Sequence, residues 1–176
     1  MAVFAKGIRQ ALCGLLILSW PLLAGATDDR ANFDARILAA HNRERAGLGL
    51  PMLRWNVDLA VGAKQWSDTL GRTGQFMHSP DDPDDELLGE NIWGGDVGFF
   101  QPEAMVALWV SEKQQFRQGT FPYTSRTGDV MDVSHYTQIV WRSTTDVGCA
   151  ISRGANEEIL VCRYKNPGNI MGRRVY

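Results

Sequence analysis

The chain has 176 residues, and its 18 basic and 20 acidic side chains nearly cancel to a formal net charge of −2. Because 44% of the residues are hydrophobic, the chain can bury a core, which argues against an intrinsically disordered protein. The lack of a basic excess argues against nucleic acid as a main partner.

The first 26 residues have the pattern of a secretory signal peptide. Two basic residues precede an apolar run at positions 11–23, and three small residues end at Ala26. We expect cleavage there, with an uncleaved anchor as the alternative. Cleavage leaves residues 27–176 as a single exported domain, located in the periplasm or the extracellular space. No other apolar run reaches the ~20 residues that a membrane span requires, so we expect no transmembrane span after cleavage.

The first half of this domain contains two helical patterns. Apolar side chains recur at helical spacing over residues 33–46. Asn56 is a good N-cap residue and precedes a second amphipathic pattern that runs to about Leu70. Residues 75–101 lack a sustained period and contain seven acidic residues, which predicts a long irregular loop.

A third helix is predicted to begin near Pro102, a residue favoured in the first turn of a helix. Its apolar stripe comprises Met105, Leu108, Trp109 and Phe116 and includes the carboxylate of Glu112. Such a carboxylate either lies at the edge of the stripe with its head in water, or is buried and requires a partner.

The last third of the chain has the composition of β-strands, at residues 137–141, 147–152 and 158–164. If the last two form a hairpin with a four-residue loop, Cys149 faces Cys162 at the close range that a disulfide requires. Removal of the signal peptide, which holds the third cysteine, leaves these two, and an even number in an exported chain favours one disulfide. Two buried thiols are the alternative.

Few residues of the mature chain suit catalysis or metal binding. Its three histidines are His41, His78 and His135, and a lone histidine is more often structural than a ligand. His41 lies within the first predicted helix, where hydrogen bonding inside the domain is the simplest role. Glu90 lies among glycines and aromatic residues, and composition alone does not bring it to the histidines. The chain has no nucleophile-elbow, zincin, phosphate-loop or dinucleotide-binding motif.

Four groups of motifs follow one another between residues 33 and 172. They are His41-Asn42-Arg43-Glu44-Arg45 with Leu53-Arg54-Trp55-Asn56, His78-Ser79 with Gly89-Glu90-Asn91-Ile92, His135-Tyr136-Thr137-Gln138-Ile139-Val140-Trp141 with Val147-Gly148-Cys149-Ala150, and Val161-Cys162-Arg163-Tyr164 with Gly168-Asn169. In this order they resemble the CAP superfamily (SCP-like extracellular domains), which contains cysteine-rich secretory proteins, antigen 5 and plant pathogenesis-related protein 1.

The resemblance implies an α+β fold, a three-layer α-β-α sandwich with a small, mainly antiparallel central sheet. It also implies a cleft in which two histidines and two glutamates converge, here His78, Glu90, Glu112 and His135. Two imidazoles and two carboxylates suit Zn²⁺ or another divalent metal, which this family often binds weakly.

The resemblance is less specific about activity. We expect an exported binding protein that uses the tetrad for a metal or polar ligand, with a lipid (sterol or fatty acid) or an extracellular or envelope protein as a further partner. Phe116, Phe121 and Tyr123 are the candidate lipid contacts, unless these aromatics only pack their loop.

One alternative is a metal-dependent hydrolase or protease with Glu90 or Glu112 as general base. Four protein ligands would close a tetrahedral zinc site, however, whereas a catalytic zinc keeps one position open. A second alternative is a non-catalytic cell-envelope interaction domain with a purely structural tetrad.

Overall fold

The computed structural model describes residues 32–80 and 86–176, so the predicted signal peptide lies outside the described part of the chain. No helix within the described residues is long and apolar enough to cross a membrane. The elements in chain order are α1 (Phe33–Gly47), β1 (Arg54–Trp55), α2 (Val57–Thr73), β2 (Gly89–Asp96), α3 (Pro102–Ser111), α4 (Ser134–Ile139), β3 (Asp146–Arg153) and β4 (Glu157–Lys165), with 3₁₀ turns at Glu112–Gln114 and Val130–Val133.

The four strands form one sheet in the order β1-β3-β4-β2. β3 is antiparallel to β4, β4 is antiparallel to β2, and only the two-residue strand β1 pairs in parallel. Helix α2 covers one face of the sheet, and α1, α3 and α4 lie on the other. The predicted α+β sandwich with a small, mainly antiparallel sheet is confirmed.

Alternation along β4 explains why helices cover both faces of the sheet. Leu160 and Cys162 belong to the larger core, which they share with α1 and α3. Ile159 and Val161 belong to a smaller core that includes Leu70 of α2. Successive side chains of a strand point to opposite faces, so the consecutive apolar residues 159–162 require cover on both sides.

The first two helices begin and end close to the predicted positions. The side chain of Asn56 accepts hydrogen bonds from the backbone N–H groups of Asp58 and Leu59, which confirms it as the N-cap of α2. Gly74, at φ 68°, ends α2 in the left-handed conformation that a glycine adopts without strain.

The predicted hairpin and its register are also confirmed. Cys149 is the direct cross-strand partner of Cys162, and the two form a disulfide with an S–S distance of 2.04 Å. Gly148 allows α2 to lie against β3, because a Cβ atom there would lie 2.4 Å from the carbonyl oxygen of Asn56.

The long irregular loop predicted at residues 75–101 is wrong over Gly89–Asp96, which forms β2. Asn91, Ile92 and Trp93 are buried in succession because β2 is covered on both faces, so the strand shows no alternation of polar and apolar residues. Gly94 and Gly95 in the same strand further weaken its pattern.

The strand predicted at residues 137–141 is wrong, since Ser134–Ile139 forms the short helix α4. Residues 136–141 are buried throughout, which again removes the amphipathic period. Tertiary contacts override local preference here: Arg45 donates hydrogen bonds to the carbonyl oxygens of Ile139 and Trp141 at the end of α4.

The third helix is shorter than its apolar pattern indicated. α3 ends at Ser111, and Glu112 begins the 3₁₀ turn that follows. Leu108, predicted to lie on the buried stripe, is 47% exposed.

Candidate functional site

The four predicted tetrad residues form two His–Glu pairs. Nδ1 of His78 lies 2.9 Å from Oε1 of Glu90, and Nδ1 of His135 lies 2.6 Å from Oε1 of Glu112. No group of three or more His, Cys, Asp or Glu side chains converges on a metal position within residues 32–80 and 86–176.

The first pair joins the segment after α2, which carries His78, to β2, an edge strand of the sheet. Glu90 projects from β2, and its carboxylate also accepts hydrogen bonds from the backbone N–H and the hydroxyl of Ser79, each at 2.9 Å. Arg163, its cross-strand neighbour on β4, places Nε 3.5 Å from Oε2. Three groups thus fix the carboxylate that holds His78.

The groups around His78 and Glu90 determine the protonation of this pair. Burial alone would raise the pKa of Glu90, but the hydrogen bonds from His78 and Ser79 hold it below the usual value. The hydrogen bond to Glu90 raises the pKa of His78, against a smaller opposing effect of burial. The pair therefore favours a protonated His78 ring beside an ionised Glu90, and a metal ion bound through Nε2 would have to displace the proton on that nitrogen.

The second pair joins the 3₁₀ turn after α3 to the start of α4. Oε1 of Glu112 accepts from His135, and Oε2 accepts from the backbone N–H of Tyr136 at 3.0 Å. The carboxylate of Glu112, which the sequence places on an apolar stripe, therefore has a partner in His135, 23 residues away. Trp109 of α3 stacks on the other side of the pair, against the His135 ring.

A buried hydrogen-bond network lies behind the second pair. Asn91 donates from Nδ2 to the carbonyl oxygen of His135 at 3.1 Å and to the hydroxyl of Tyr164 at 3.2 Å. The Tyr164 hydroxyl in turn donates to Nε2 of His41 at 2.8 Å, while His41 donates from Nδ1 to the carbonyl oxygen of Ile37. Glu90 and Asn91 are consecutive residues of β2, so one strand anchors both pairs.

Burial accounts for the protonation of this network. Desolvation lowers the pKa of His41 to about 4, and burial raises the pKa of Tyr164. Both side chains are therefore neutral near pH 7, as their hydrogen bonds require. The structural role predicted for His41 is confirmed.

Sequence reasoning missed Ser79, Asn91, Trp109 and Tyr164 as supporting residues of the site. Asn91 gave a usable signal, since an asparagine beside two large apolar residues needs partners for its amide if it is buried. Ser79 and Trp109 gave none, because their role depends on contacts with residues far away in the chain.

The four side chains do not offer a metal ion four equivalent ligands. Each glutamate already accepts hydrogen bonds on both carboxylate oxygens, so neither has an unengaged oxygen. Within the described chain, Nε2 of His78 and of His135 has no hydrogen-bond partner. Each imidazole ring is oriented by a carboxylate behind it, which is typical of a histidine that binds a metal ion.

The three candidate lipid contacts differ in accessibility. Phe116 and Phe121 are each 7% exposed and belong to the main core, where Phe116 packs against Tyr136 and Phe121 against Trp141. A ligand could reach these two rings only if the core opened. Tyr123 is 74% exposed.

Comparison with known proteins gives consistent similarities. The model of the cysteine-rich secretory protein family (CAP) matches residues 38–164. Pathogenesis-related protein 1C of Nicotiana tabacum is 34% identical over 140 residues, which cover 79% of this chain and 78% of that protein. Pathogenesis-related protein PRMS of Zea mays is 30% identical over 168 residues, covering 92% and 95%.

Among solved structures, the crystal structure of NaASP2 with Zn²⁺ superposes with a TM-score of 0.66 at 21% identity, covering 81% of this chain and 84% of that one. At this identity the likeness concerns the fold alone.

Proposed function

Since this chain belongs to the cysteine-rich secretory protein (CAP) family, we propose that it is an exported binding protein whose two His–Glu pairs hold a divalent ion such as Zn²⁺. Export is supported by the signal-peptide pattern of the first 26 residues and by the disulfide between Cys149 and Cys162.

One observation carries the metal proposal: both histidines engage a carboxylate through Nδ1 and leave Nε2 available. A histidine that binds a metal ion through one ring nitrogen typically donates the other N–H to a carboxylate, which fixes the tautomer and the ring orientation. NaASP2, whose crystal structure was determined with Zn²⁺, has the same fold.

The geometry favours binding over hydrolysis. A general base takes a proton from water on a carboxylate oxygen. Glu90 accepts three hydrogen bonds and lies beside Arg163, and Glu112 accepts two, so protonation of either carboxylate would weaken the contacts that orient His78 and His135. A hydrolase therefore remains the weaker alternative.

Calorimetric titration with Zn²⁺ near pH 7.5 tests the proposal, on untagged chain purified after export. We expect about one equivalent of bound ion, lost in the His78→Ala/His135→Ala variant. Glu112→Gln should retain binding that is about 10- to 100-fold weaker, since the ring of His135 loses its orienting carboxylate.

The control is Asp34→Asn/Asp58→Asn, which neutralises two exposed carboxylates on α1 and α2 and should bind like the wild type. Saturable binding that survives in the histidine variant, or no binding by a folded wild-type chain, would overturn the proposal.

A further inference from the structure

A surface that contains no residue of the two His–Glu pairs combines exposed arginines with exposed apolar side chains. It consists of two segments, residues 117–126 and 170–174, which we call the arginine surface. They are joined by backbone hydrogen bonds from Phe121 to Arg173 and from Gly172 to Phe121, at 2.9 Å each, and by a bridge between Thr120 and Arg174. The two segments therefore lie side by side.

The charge of this surface is positive in a chain whose net charge is negative. It carries Arg117, Arg126, Arg173 and Arg174, all exposed, and neither segment contains an aspartate or glutamate. None of the four guanidinium groups forms an ion pair with any residue that the structure describes. Four uncompensated positive charges within two adjacent segments favour an anionic partner.

The guanidinium groups of Arg117 and Arg126 are held in place by the backbone. Arg117 donates from Nε to the carbonyl oxygen of Tyr123 at 3.2 Å, and Arg126 donates from Nε to that of Phe116 at 3.1 Å. The terminal nitrogens of both remain available for a ligand. Arg117 thereby places its positive charge next to the backbone of Tyr123, whose side chain is exposed.

The exposed apolar side chains of the same surface distinguish a soluble polyanion from an anionic membrane as the partner. Tyr123 is 74% exposed, Met171 70% and Ile170 44%, within the same two segments as the arginines. A soluble polyanion would gain little from such side chains. At a membrane they can enter the interface, where tyrosine is favoured and apolar area leaves water, while arginines contact anionic headgroups.

We propose that the arginine surface docks this protein onto membranes that contain anionic lipids. The docking uses Arg173 and Arg174 for headgroups, and Tyr123 and Met171 for the interface. It involves neither His–Glu pair, so it is independent of the proposed metal binding. It also differs from uptake of a single lipid molecule, because no ring of the core has to be uncovered.

Co-sedimentation with vesicles tests this proposal, on untagged chain purified after export. One set of vesicles is phosphatidylcholine alone, and the other contains equal parts of phosphatidylcholine and phosphatidylglycerol. We expect binding only to the second set, and weaker binding at high salt. Arg173→Gln/Arg174→Gln should reduce the partition coefficient by about fivefold for each arginine removed.

A matched control is Arg72→Gln/Arg153→Gln. It removes two exposed arginines that lie on segments adjacent to each other and are not part of the arginine surface. It should bind like the wild type, and because every variant shares the same N-terminus, any contribution from that region cancels. Circular dichroism checks that each variant is folded.

Tyr123→Ser/Met171→Ser separates a membrane from a soluble polyanion. It should weaken vesicle binding and leave retention on a heparin column unchanged. No binding of the wild type to the mixed vesicles, an equal loss in both arginine variants, or vesicle binding that is unaffected by Tyr123→Ser/Met171→Ser would overturn the proposal.

Discussion

Trp109 lies flat against His135, with the indole and imidazole centroids 5.9 Å apart and the two planes within 12° of parallel. Trp109 is only 3% exposed, and it also contacts the edge of His41. One side chain of α3 therefore supports the histidine of the site on one side and the buried network on the other.

Replacement of Trp109 should affect both stability and the site. Trp109→Ala should lower the free energy of unfolding by about 3–5 kcal/mol, because it leaves a cavity in the main core. Trp109→Phe keeps an aromatic face against His135, so it should lose less stability and retain more Zn²⁺ affinity. Urea unfolding and calorimetric titration measure the two effects. Equal Zn²⁺ affinity in folded Ala and Phe variants would contradict a supporting role of the ring.

The stability of the domain should fall as His41 is forced to take up a proton. Its pKa is lowered from 6.5 to about 4 in the fold, so the unfolded chain binds a proton first as pH falls. The contribution of neutral His41 is complete above pH 6.5 and is lost between pH 6.5 and about 4, by about 3 kcal/mol in total. Urea unfolding at a series of pH values measures it.

His41→Gln isolates this contribution from the other titrating groups. His78 acts in the opposite direction, because its pKa is raised, so the difference between wild type and variant is the relevant quantity. That difference should shrink as pH falls from 6.5 to about 4. A difference that is independent of pH would show that His41 is not buried as a neutral ring.

The sequence predicted the features that depend on local pattern or on counting. The N-cap of α2 and the pairing of Cys149 with Cys162 follow from residue type, spacing and an even cysteine number. β2 and α4 were missed because their central residues are buried one after another, so they show neither the period of a half-buried strand nor that of an amphipathic helix.

The site shows the same limit. The tetrad residues were identified through a family resemblance, whereas their pairing depends on contacts across 12 residues for His78 and Glu90 and 23 for Glu112 and His135. The resemblance supplied a set of four. The structure divides it into two pairs whose carboxylates are already engaged, and no spacing in the sequence indicates that division.

Removal of the disulfide should weaken the fold without altering the site. Cys149 and Cys162 are buried and 13 residues apart, and a cross-link over a loop of that length stabilises a protein by about 3 kcal/mol. Cys149→Ala/Cys162→Ala should lower the free energy of unfolding by about that amount and leave Zn²⁺ affinity unchanged. Wild-type protein unfolded under reducing conditions is the control, and an unaltered urea midpoint in the variant would contradict the prediction.

The charge of His78 should depend on its bond to Glu90. Because that bond raises the pKa of His78, Glu90→Gln should return it towards the ordinary value of 6.5. While Glu90 is ionised, protonated His78 contributes fully to stability below pH 6.5, and this contribution is lost as pH rises through the raised pKa of His78. NMR titration of the His78 ring measures the shift, with Glu103→Gln as a control. An unchanged pKa in Glu90→Gln would exclude the bond in solution.

Arg45 should be the least replaceable charged residue of α1. Its side chain is fully buried and donates to four backbone carbonyl oxygens, from Nε to Pro51 and from the terminal nitrogens to Ile139, Trp141 and Thr144. Burial lowers the pKa of Arg45 to about 10, so it remains charged near neutral pH. It joins α1 to the end of α4, the helix that carries His135.

A lysine cannot replace this arrangement, because one nitrogen with three N–H groups cannot reach carbonyl oxygens on several sides. Arg45→Lys should therefore cost about 3 kcal/mol or more of unfolding free energy, since buried carbonyl oxygens lose their donors. Arg43→Lys, an exposed position two residues earlier on α1, should stay within about 0.5 kcal/mol of wild type. Urea unfolding of the two variants measures the difference. Equal stability would mean that water or a rearranged loop satisfies these carbonyl groups without the guanidinium.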